Sequence, residues 1–210
     1  MTSYIPQTAD DLLKLADSIA GMSIENLSKS LGISLPDNFT NNKGFIGQLA
    51  EIALGAGAGS HPLQDFPVLG IELKTIPLNL SGKPAETTHV CILHQNCGQT
   101  FFKSNFYNKI KKVLWLPVEG CRKIPLNERH FGKAFLWNIS DQETLELKQD
   151  WEEIMEYVST GHLPELSAKT GVWMQVRPAG RNNGIKQYGY YLRKSFTERI
   201  LLNEFAKNTD

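Results

Sequence analysis

The sequence predicts a mixed α/β fold built around one hydrophobic core. Two kinds of segment indicate it: stretches whose apolar residues recur at helical spacing after a capping residue, and short apolar or alternating runs bounded by Pro, Gly or polar residues, which are typical of strands. The chain has 210 residues, of which 41% are apolar. Such a chain can bury a core, either as one domain or as two small lobes that share it.

Five segments are predicted to be helical. Ser or Thr followed three residues later by an acid is a helix-start signal, and it occurs at Thr8, Ser140 and Ser195. The predicted helices comprise residues 8–19, 23–31 with a stop at Gly32, 43–56, 140–158 with a stop at Gly161, and 195–206. In the helix after Ser140 the inward residues are expected to be Leu147, Trp151, Ile154, Met155 and Val158. Its acidic residues are therefore expected to face solvent or a partner.

Six runs are predicted to be strands. We expect a central sheet from residues 68–76, 86–93, 112–118 and 134–137, and two further strands from residues 172–177 and 187–193. No internal repeat or low-complexity tract interrupts this order.

Charge and composition exclude several classes of protein. The formal net charge is zero, which argues against a generic charge-driven nucleic-acid coat. Residues 141–156 carry seven acids against one lysine, a charge of −6, so the rest of the chain carries +6 and can form a basic face. The sequence contains no run of about 18 apolar residues, and it has Asp10 and Asp11 where a signal peptide would be basic. We expect a soluble, cytoplasmic protein.

The cysteines predict reduced thiols. Cys91, Cys97 and Cys121 form neither an even set nor a C-x-x-C pair. His89, Cys91, His94 and Cys97 could be zinc ligands, although a strand over residues 87–93, with Cys91 as a small apolar residue, is the alternative.

The motif whose side chains suggest chemistry starts at Asp65. Six residues separate Asp65 from Glu72-x-Lys74. Side chains two apart on a strand share a face, so Glu72 and Lys74 point the same way while Leu73 enters the core. Asp65 could bring a second carboxylate to the same point. Two carboxylates, the Leu73 carbonyl and waters would form the oxygen shell that Mg²⁺ prefers, and Mg²⁺ with a lysine suits phosphodiester hydrolysis. The alternative is a salt bridge on a surface strand.

Glu51 is a candidate third carboxylate. It is the one charged residue between Gly44 and Ser60, so it either has a specific partner or lies on the solvated stripe of a helix.

The glycine-rich residues 55–60 lack the G-K-[ST] of a phosphate-binding loop and predict a flexible loop. Basic and aromatic residues cluster at 103–112 and 177–194, where they could follow phosphates or read base edges, or could be solvated surface and core aromatics.

Several ordered stretches resemble the MutH family of mismatch-repair endonucleases, which is related to Sau3AI-type restriction enzymes. They are LAEIALGAGAGSHPLQDFPVLGIELKTIP (49–77), ETTHV (86–90), KIKKVLWLPVEG (109–120), DWEEIM (150–155) and YYLRKSF (190–196). The resemblance implies a single domain over residues 1–210, with a restriction-endonuclease-like core, a central mixed sheet flanked by helices, and two lobes that form a DNA-binding cleft.

The resemblance also implies roles for individual residues. Glu51, Asp65 and Glu72 correspond to the acidic metal-site positions, Lys74 to the catalytic lysine and Lys109 to a supporting lysine. Tyr191 corresponds to the tyrosine that senses adenine methylation, and Arg177 and Arg181 are candidate DNA contacts. The implied activity is Mg²⁺-dependent nicking 5′ of the G in GATC on the unmethylated strand, by a monomer stimulated by MutL acting with MutS.

The sequence departs from the family pattern at the DNA-reading positions. His89 replaces an aromatic residue, Tyr107 a basic residue and Ala179 a lysine, for which Arg181 is a candidate substitute; the loop between Arg181 and Tyr190 is short. Two other functions stay open: a GATC-specific restriction enzyme that cuts both strands as a dimer, and a non-catalytic DNA-binding module.

Overall fold

The computed structural model describes residues 4–36, 44–57, 63–94, 98–166 and 169–207. It confirms the mixed α/β class. The helices within these ranges are α1 (Ala9–Ile19), α2 (Ile24–Leu31), α3 (Phe45–Ala53), α4 (Asn105–Ile110), α5 (Asp141–Ser159) and α6 (Lys194–Lys207). The strands are β1 (Glu72–Leu78), β2 (Thr88–Ile92), β3 (Lys112–Glu119), β4 (Phe135–Asn138), β5 (Met174–Asn182) and β6 (Ile185–Leu192).

The chain divides into two compact units. The first unit comprises residues 1–85 and 112–137, and the second comprises residues 86–111 and 138–210. None of the helices in the described ranges is long and apolar enough to cross a membrane.

The first unit contains a three-stranded sheet in the order β1-β3-β4. Strands β1 and β3 are parallel, with Glu72 opposite Val113 and Leu78 opposite Glu119. The consecutive residues 113–118 of β3 are all buried, as expected for a strand with both faces covered. Helices α1, α2 and α3 complete the core with Leu12, Ala16, Ile24, Leu27, Leu49 and Ala50.

The first two helices begin at the predicted starts, Thr8 and Ser23, and both residues are caps. The side chains of Thr8 and Ser23 accept hydrogen bonds from the backbone N–H groups of Asp11 and Asn26, which satisfies donors that have no partner within the helix. Helix α3 is shorter than predicted, since it ends at Ala53, and Ile52 is 52% exposed rather than inward. Lys43 and residues 58–60 of the predicted glycine-rich loop lie outside the described residues.

The second unit contains an antiparallel sheet in the order β2-β6-β5. The assignment of residues 86–93 to one sheet with the strands of the first unit is therefore wrong, because β2 pairs with β6. A short alternating run specifies which side chains share a face, but not which strand supplies its hydrogen-bond partners.

Strands β5 and β6 form a hairpin longer than predicted. They are joined at Asn183 and Gly184, which have φ of 48° and 80°. Positive φ at both central residues matches the two-residue turn that Asn-Gly favours. The expected loop between Arg181 and Tyr190 is therefore strand on both sides of this turn. Helix α4, capped by the Ser104 side chain, was also not predicted.

Helix α5 confirms the predicted capping box between Ser140 and Glu143. The expectation that its acids all face outward is wrong for two of them, since Glu143 is 6% and Asp150 is 4% exposed. Glu143 is buried because its carboxylate accepts from the backbone N–H and the hydroxyl of Ser140. Asp150 accepts hydrogen bonds from the chain that enters β5.

Candidate active site

A tight turn precedes β1 and brings Asp65 to the strand. The N–H of Phe66 donates to the carbonyl of Ile71 at 2.9 Å, and the N–H of Ile71 donates back at 3.2 Å. Gly70, with φ of 63°, adopts the left-handed conformation that the turn requires. The strand therefore begins at Glu72 rather than at residue 68, because residues 67–70 form the turn.

The turn places the Asp65 carboxylate beside the strand backbone. Its Oδ2 accepts a hydrogen bond from the N–H of Leu73 at 2.8 Å. Oδ1 of Asp65 bonds to none of the residues that the structure describes. One carboxylate oxygen is thus fixed by the fold, while the other is available for a ligand.

Glu72 and Lys74 share one face of β1, as predicted. Lys74 Nζ lies 2.6 Å from Oε1 of Glu72, and the two side chains are 19% and 2% exposed. Leu73, between them, is 5% exposed and belongs to the core of the first unit. The alternative of an exposed salt bridge on a surface strand does not hold, because the Glu72 carboxylate is buried.

The acidic side chains define what this site could bind. Glu51 is half-buried in α3. No group of three or more His, Cys, Asp or Glu side chains able to hold one metal ion occurs in the described ranges, so the predicted set of Glu51, Asp65 and Glu72 is not gathered there. Asp65, which accepts from the N–H of Leu73, and Glu72, the residue before Leu73, still supply hard oxygen donors. Mg²⁺ is commonly held by one or two carboxylates and several waters, which this pair fits.

The candidate DNA-binding residues of the second unit gather on one face of its sheet. The Arg177 guanidinium carbon lies 5.6 Å from the centre of the Tyr191 ring, and its Nη1 donates to Thr87 Oγ1 at 3.1 Å. The His89 ring meets Tyr191 edge to face, with centroids 5.0 Å apart. Arg177 and His89 are exposed, so this cluster presents a cation and two rings at the surface.

Two small residues make room for this cluster. A side chain added at Gly189 would approach Nε2 of His89 to 3.0 Å and Cβ of Ala179 to 3.2 Å. Ala179 is the extra residue of a bulge, since Pro178 pairs with Tyr188 and Gly180 with Gln187. Because Gly189 has no side chain and Ala179 has a small one, the imidazole of His89 can pack on β6.

The remaining predicted residues lie apart from this cluster. Arg181 is exposed near the hairpin turn, where its Nη1 donates to the carbonyl of Gly184 at 3.1 Å. Lys109 is half-buried in α4, and Tyr107 packs against the rings of Phe101 and Phe102.

The candidate zinc ligands lie on and after β2. Cys91 is buried, as the strand interpretation predicts, and His94 is exposed. Cys97 lies outside the described residues.

Two charged residues that support β5 were not predicted. The Asp150 carboxylate accepts from the N–H groups of Val172, Trp173 and Met174 at 2.9, 2.6 and 2.9 Å. Arg193 Nη2 donates to the carbonyls of residues 170 and 171 at 2.9 and 3.0 Å. They hold the segment that leads to Arg177. Asp150 was detectable only as an acid among the apolar positions of a helix.

Comparison with known proteins agrees with these features. Residues 54–150 match the family model described as DNA mismatch repair enzyme MutH. The DNA mismatch repair protein MutH of Pasteurella multocida is 46% identical over 93% of this chain and 96% of its own length. That of Vibrio vulnificus is 46% identical over 96% of both chains, and that of Haemophilus ducreyi is 43% identical over 99% of both. The chain therefore belongs to the MutH family.

Proposed function

We propose that this protein is a Mg²⁺-dependent DNA endonuclease that nicks the unmethylated strand 5′ of the G in GATC during mismatch repair, stimulated by MutL acting with MutS. The observation that carries the proposal is the arrangement of Asp65, Glu72 and Lys74 at the start of β1. A buried carboxylate paired with a lysine is costly to maintain for stability alone, and Asp65 is bonded to the backbone between these two residues. It suits a site for phosphodiester hydrolysis.

The proposed roles follow from the chemistry of each group. Asp65 and Glu72 would hold Mg²⁺ with the carbonyl of Leu73, and Glu51 is the proposed third carboxylate. When bound, Mg²⁺ would neutralise charge on the scissile phosphate and make a water more acidic. Lys74 would orient the attacking water as an ammonium group, or take up its proton as a neutral amine. Lys109 is the proposed supporting lysine.

The contact with Glu72 gives Lys74 a defined position. A lysine side chain is a flexible four-carbon stem. The 2.6 Å contact between Lys74 Nζ and Glu72 Oε1 restricts where the lysine nitrogen can lie. Glu72 would thus both bind Mg²⁺ and position Lys74.

Recognition of the DNA sequence is assigned to the surface cluster on β2, β5 and β6. An arginine can donate two parallel hydrogen bonds to O6 and N7 of guanine in the major groove, and Arg177 is exposed for that role. Tyr191 lies against the Arg177 guanidinium, so a methyl group on a neighbouring adenine would be sensed beside it. Arg181 is the proposed substitute for the lysine that Ala179 replaces.

The test is a nicking assay on supercoiled plasmid that carries one GATC site. The site is prepared unmethylated, hemimethylated or fully methylated, and each substrate is incubated with Mg²⁺ or with chelator, with and without MutL. We expect nicks only on unmethylated strands, only with Mg²⁺, and at a higher rate with MutL.

Each other outcome points to a different function. Rapid double-strand cutting without MutL would identify a restriction enzyme. DNA binding that is equal with chelator and with Mg²⁺, without any cutting, would identify a non-catalytic binding module. Nicking that ignores methylation would retain the nuclease and reject the role of Tyr191.

A further inference from the structure

The first unit contains a concave site at the opposite end of β1 from Glu72. A pocket of about 460 Å³ lies where the parallel strands β1 and β3 end. Its walls include apolar side chains from three separate segments: Leu78, Leu80, Val118, Ile124 and Phe131. This volume is in the range that accommodates a small ligand or an anchoring side chain. None of the groups proposed to act on DNA belongs to it.

The polar part of the pocket includes Asn79 and a carboxylate bound to an imidazole. Oε2 of Glu119 accepts from the backbone N–H of His130 at 2.9 Å and lies 3.0 Å from its Nδ1. These hydrogen bonds lower the pKa of the Glu119 carboxyl. Cys121, a free and partly exposed thiol, also lines the pocket and offers a chemical probe of it.

Cations flank the pocket. Arg122 and Lys123 lie between the lining residues Cys121 and Ile124, and Lys133 follows the lining residue Gly132. All three are exposed, and none forms an ion pair with a residue that the structure describes. Glu119 is the one acid in the lining, and it is already engaged by His130. The surface is thus an apolar cavity beside which the chain carries three exposed cations, Arg122, Lys123 and Lys133, here called the rim.

We propose that this pocket docks an acidic peptide segment of a partner protein, with one apolar side chain of the segment in the cavity. Charge complementarity selects this occupant: carboxylates next to the anchor would pair with Arg122, Lys123 and Lys133. The apolar walls distinguish it from a phosphate-binding surface, which needs donors but no apolar cavity. Because an anchor in a pocket dominates the energy of such contacts, the cavity sets affinity and the rim sets charge preference. The inference is independent of the proposed nuclease function.

The first experiment measures binding by fluorescence anisotropy on the full chain. The probe is a fluorescein-labelled octapeptide with Leu-Phe at its centre and three Asp or Glu residues on each side. We expect saturable binding, with affinity reduced about tenfold in Lys123→Glu and in Leu80→Asp. Leu80 is 82% exposed, so its replacement leaves the fold intact. Lys14→Glu, an exposed lysine of α1 with the same charge change, is the matched control and should bind normally.

The second experiment locates the peptide. Cys121 is alkylated with iodoacetamide, and its modification is followed by mass spectrometry of the fragment that contains it. The acidic peptide should slow this reaction, and the same peptide with Lys in place of its acids should not. Absence of saturation at about 1 mM peptide, or binding that leaves Cys121 unprotected, would overturn the proposal. It would also be overturned if duplex DNA protected Cys121 and the peptide did not, because the rim would then be a phosphate contact.

Discussion

Lys74 Nζ and Oε1 of Glu72 lie 2.6 Å apart on one face of β1, with the Glu72 side chain only 2% exposed. Removing a carboxylate from water is costly, and a close cation offsets this cost without making the pair better than apolar residues of the same size. The buried pair is therefore better explained by a role in chemistry than by a contribution to stability.

Lys74→Ala should reduce nicking about 100-fold or more, because one preorganised positive charge is lost from the site. Binding of GATC duplex should stay nearly normal in an anisotropy assay. The substitution also leaves Glu72 without its cation, so a thermal melt must show that the variant is folded. Lys148→Ala, which breaks an exposed pair with Glu152, is the control and should nick normally. Wild-type nicking by the Lys74 variant would reject the catalytic role.

Asp65→Asn should weaken Mg²⁺ binding while it preserves the fold. The asparagine carbonyl oxygen can still accept from the Leu73 N–H, so the free energy of unfolding should change by about 1 kcal/mol or less. Calorimetric titration with Mg²⁺ in the presence of GATC duplex measures the affinity. Glu51→Gln in the same titration decides whether the third carboxylate takes part. Unchanged Mg²⁺ affinity for Asp65→Asn would remove Asp65 from the metal site.

Arg177→Ala should relax the preference for GATC over a duplex with one base pair changed. The expected loss of discrimination is about 1 to 3 kcal/mol if the guanidinium contacts a base edge. Competition binding at fixed salt measures it. Arg181→Ala in parallel tests the substitute for the missing lysine. Weaker binding with equal preference would demote either arginine to a phosphate contact.

Asp150→Ala should destabilise the protein by about 3 kcal/mol or more, since three backbone N–H groups lose a charged acceptor and one of them is fully buried. Urea unfolding measures the change. Asp141→Ala, an exposed acid at the start of the same helix, is the control and should cost much less. A small effect at Asp150 would mean that water replaces the carboxylate without loss.

The ion pair of Glu146 with Arg199 should make stability depend on pH on the acid side. The hydrogen bond from Arg199 lowers the pKa of Glu146 below its ordinary value of 4.5. A carboxyl with a lowered pKa in the folded state contributes stability that is complete above pH 4.5 and is lost as pH falls through the folded-state pKa. Glu146→Gln should therefore destabilise the protein at pH 7, and the difference should shrink below pH 4.5. A difference that stays constant as pH falls below 4.5 in urea titrations would contradict this.

Local signals in the sequence determined most of the helices and the composition of the candidate catalytic motif. Thr8, Ser23 and Ser140 each cap a helix, because a side-chain oxygen beside an apolar periodic run satisfies donors that only a helix leaves open. The alternation of residues 72–74 fixed Leu73 on one face of β1 and the charged pair on the other. Asn183 and Gly184 are an equally local signal, since Asn-Gly favours a two-residue hairpin turn.

Tertiary structure alone decided the features that depend on distant residues. The turn between Phe66 and Ile71 returns Asp65 to Leu73, and Asp150 reaches residues more than twenty positions along the chain. The pairing of β2 with β6 rather than with the first sheet is a third example. Propensity and periodicity describe which side chains share a face, and they are properties of neighbouring residues. The choice between strand partners, or between solvent and buried N–H groups for a carboxylate, depends on the free energy of the whole packed arrangement.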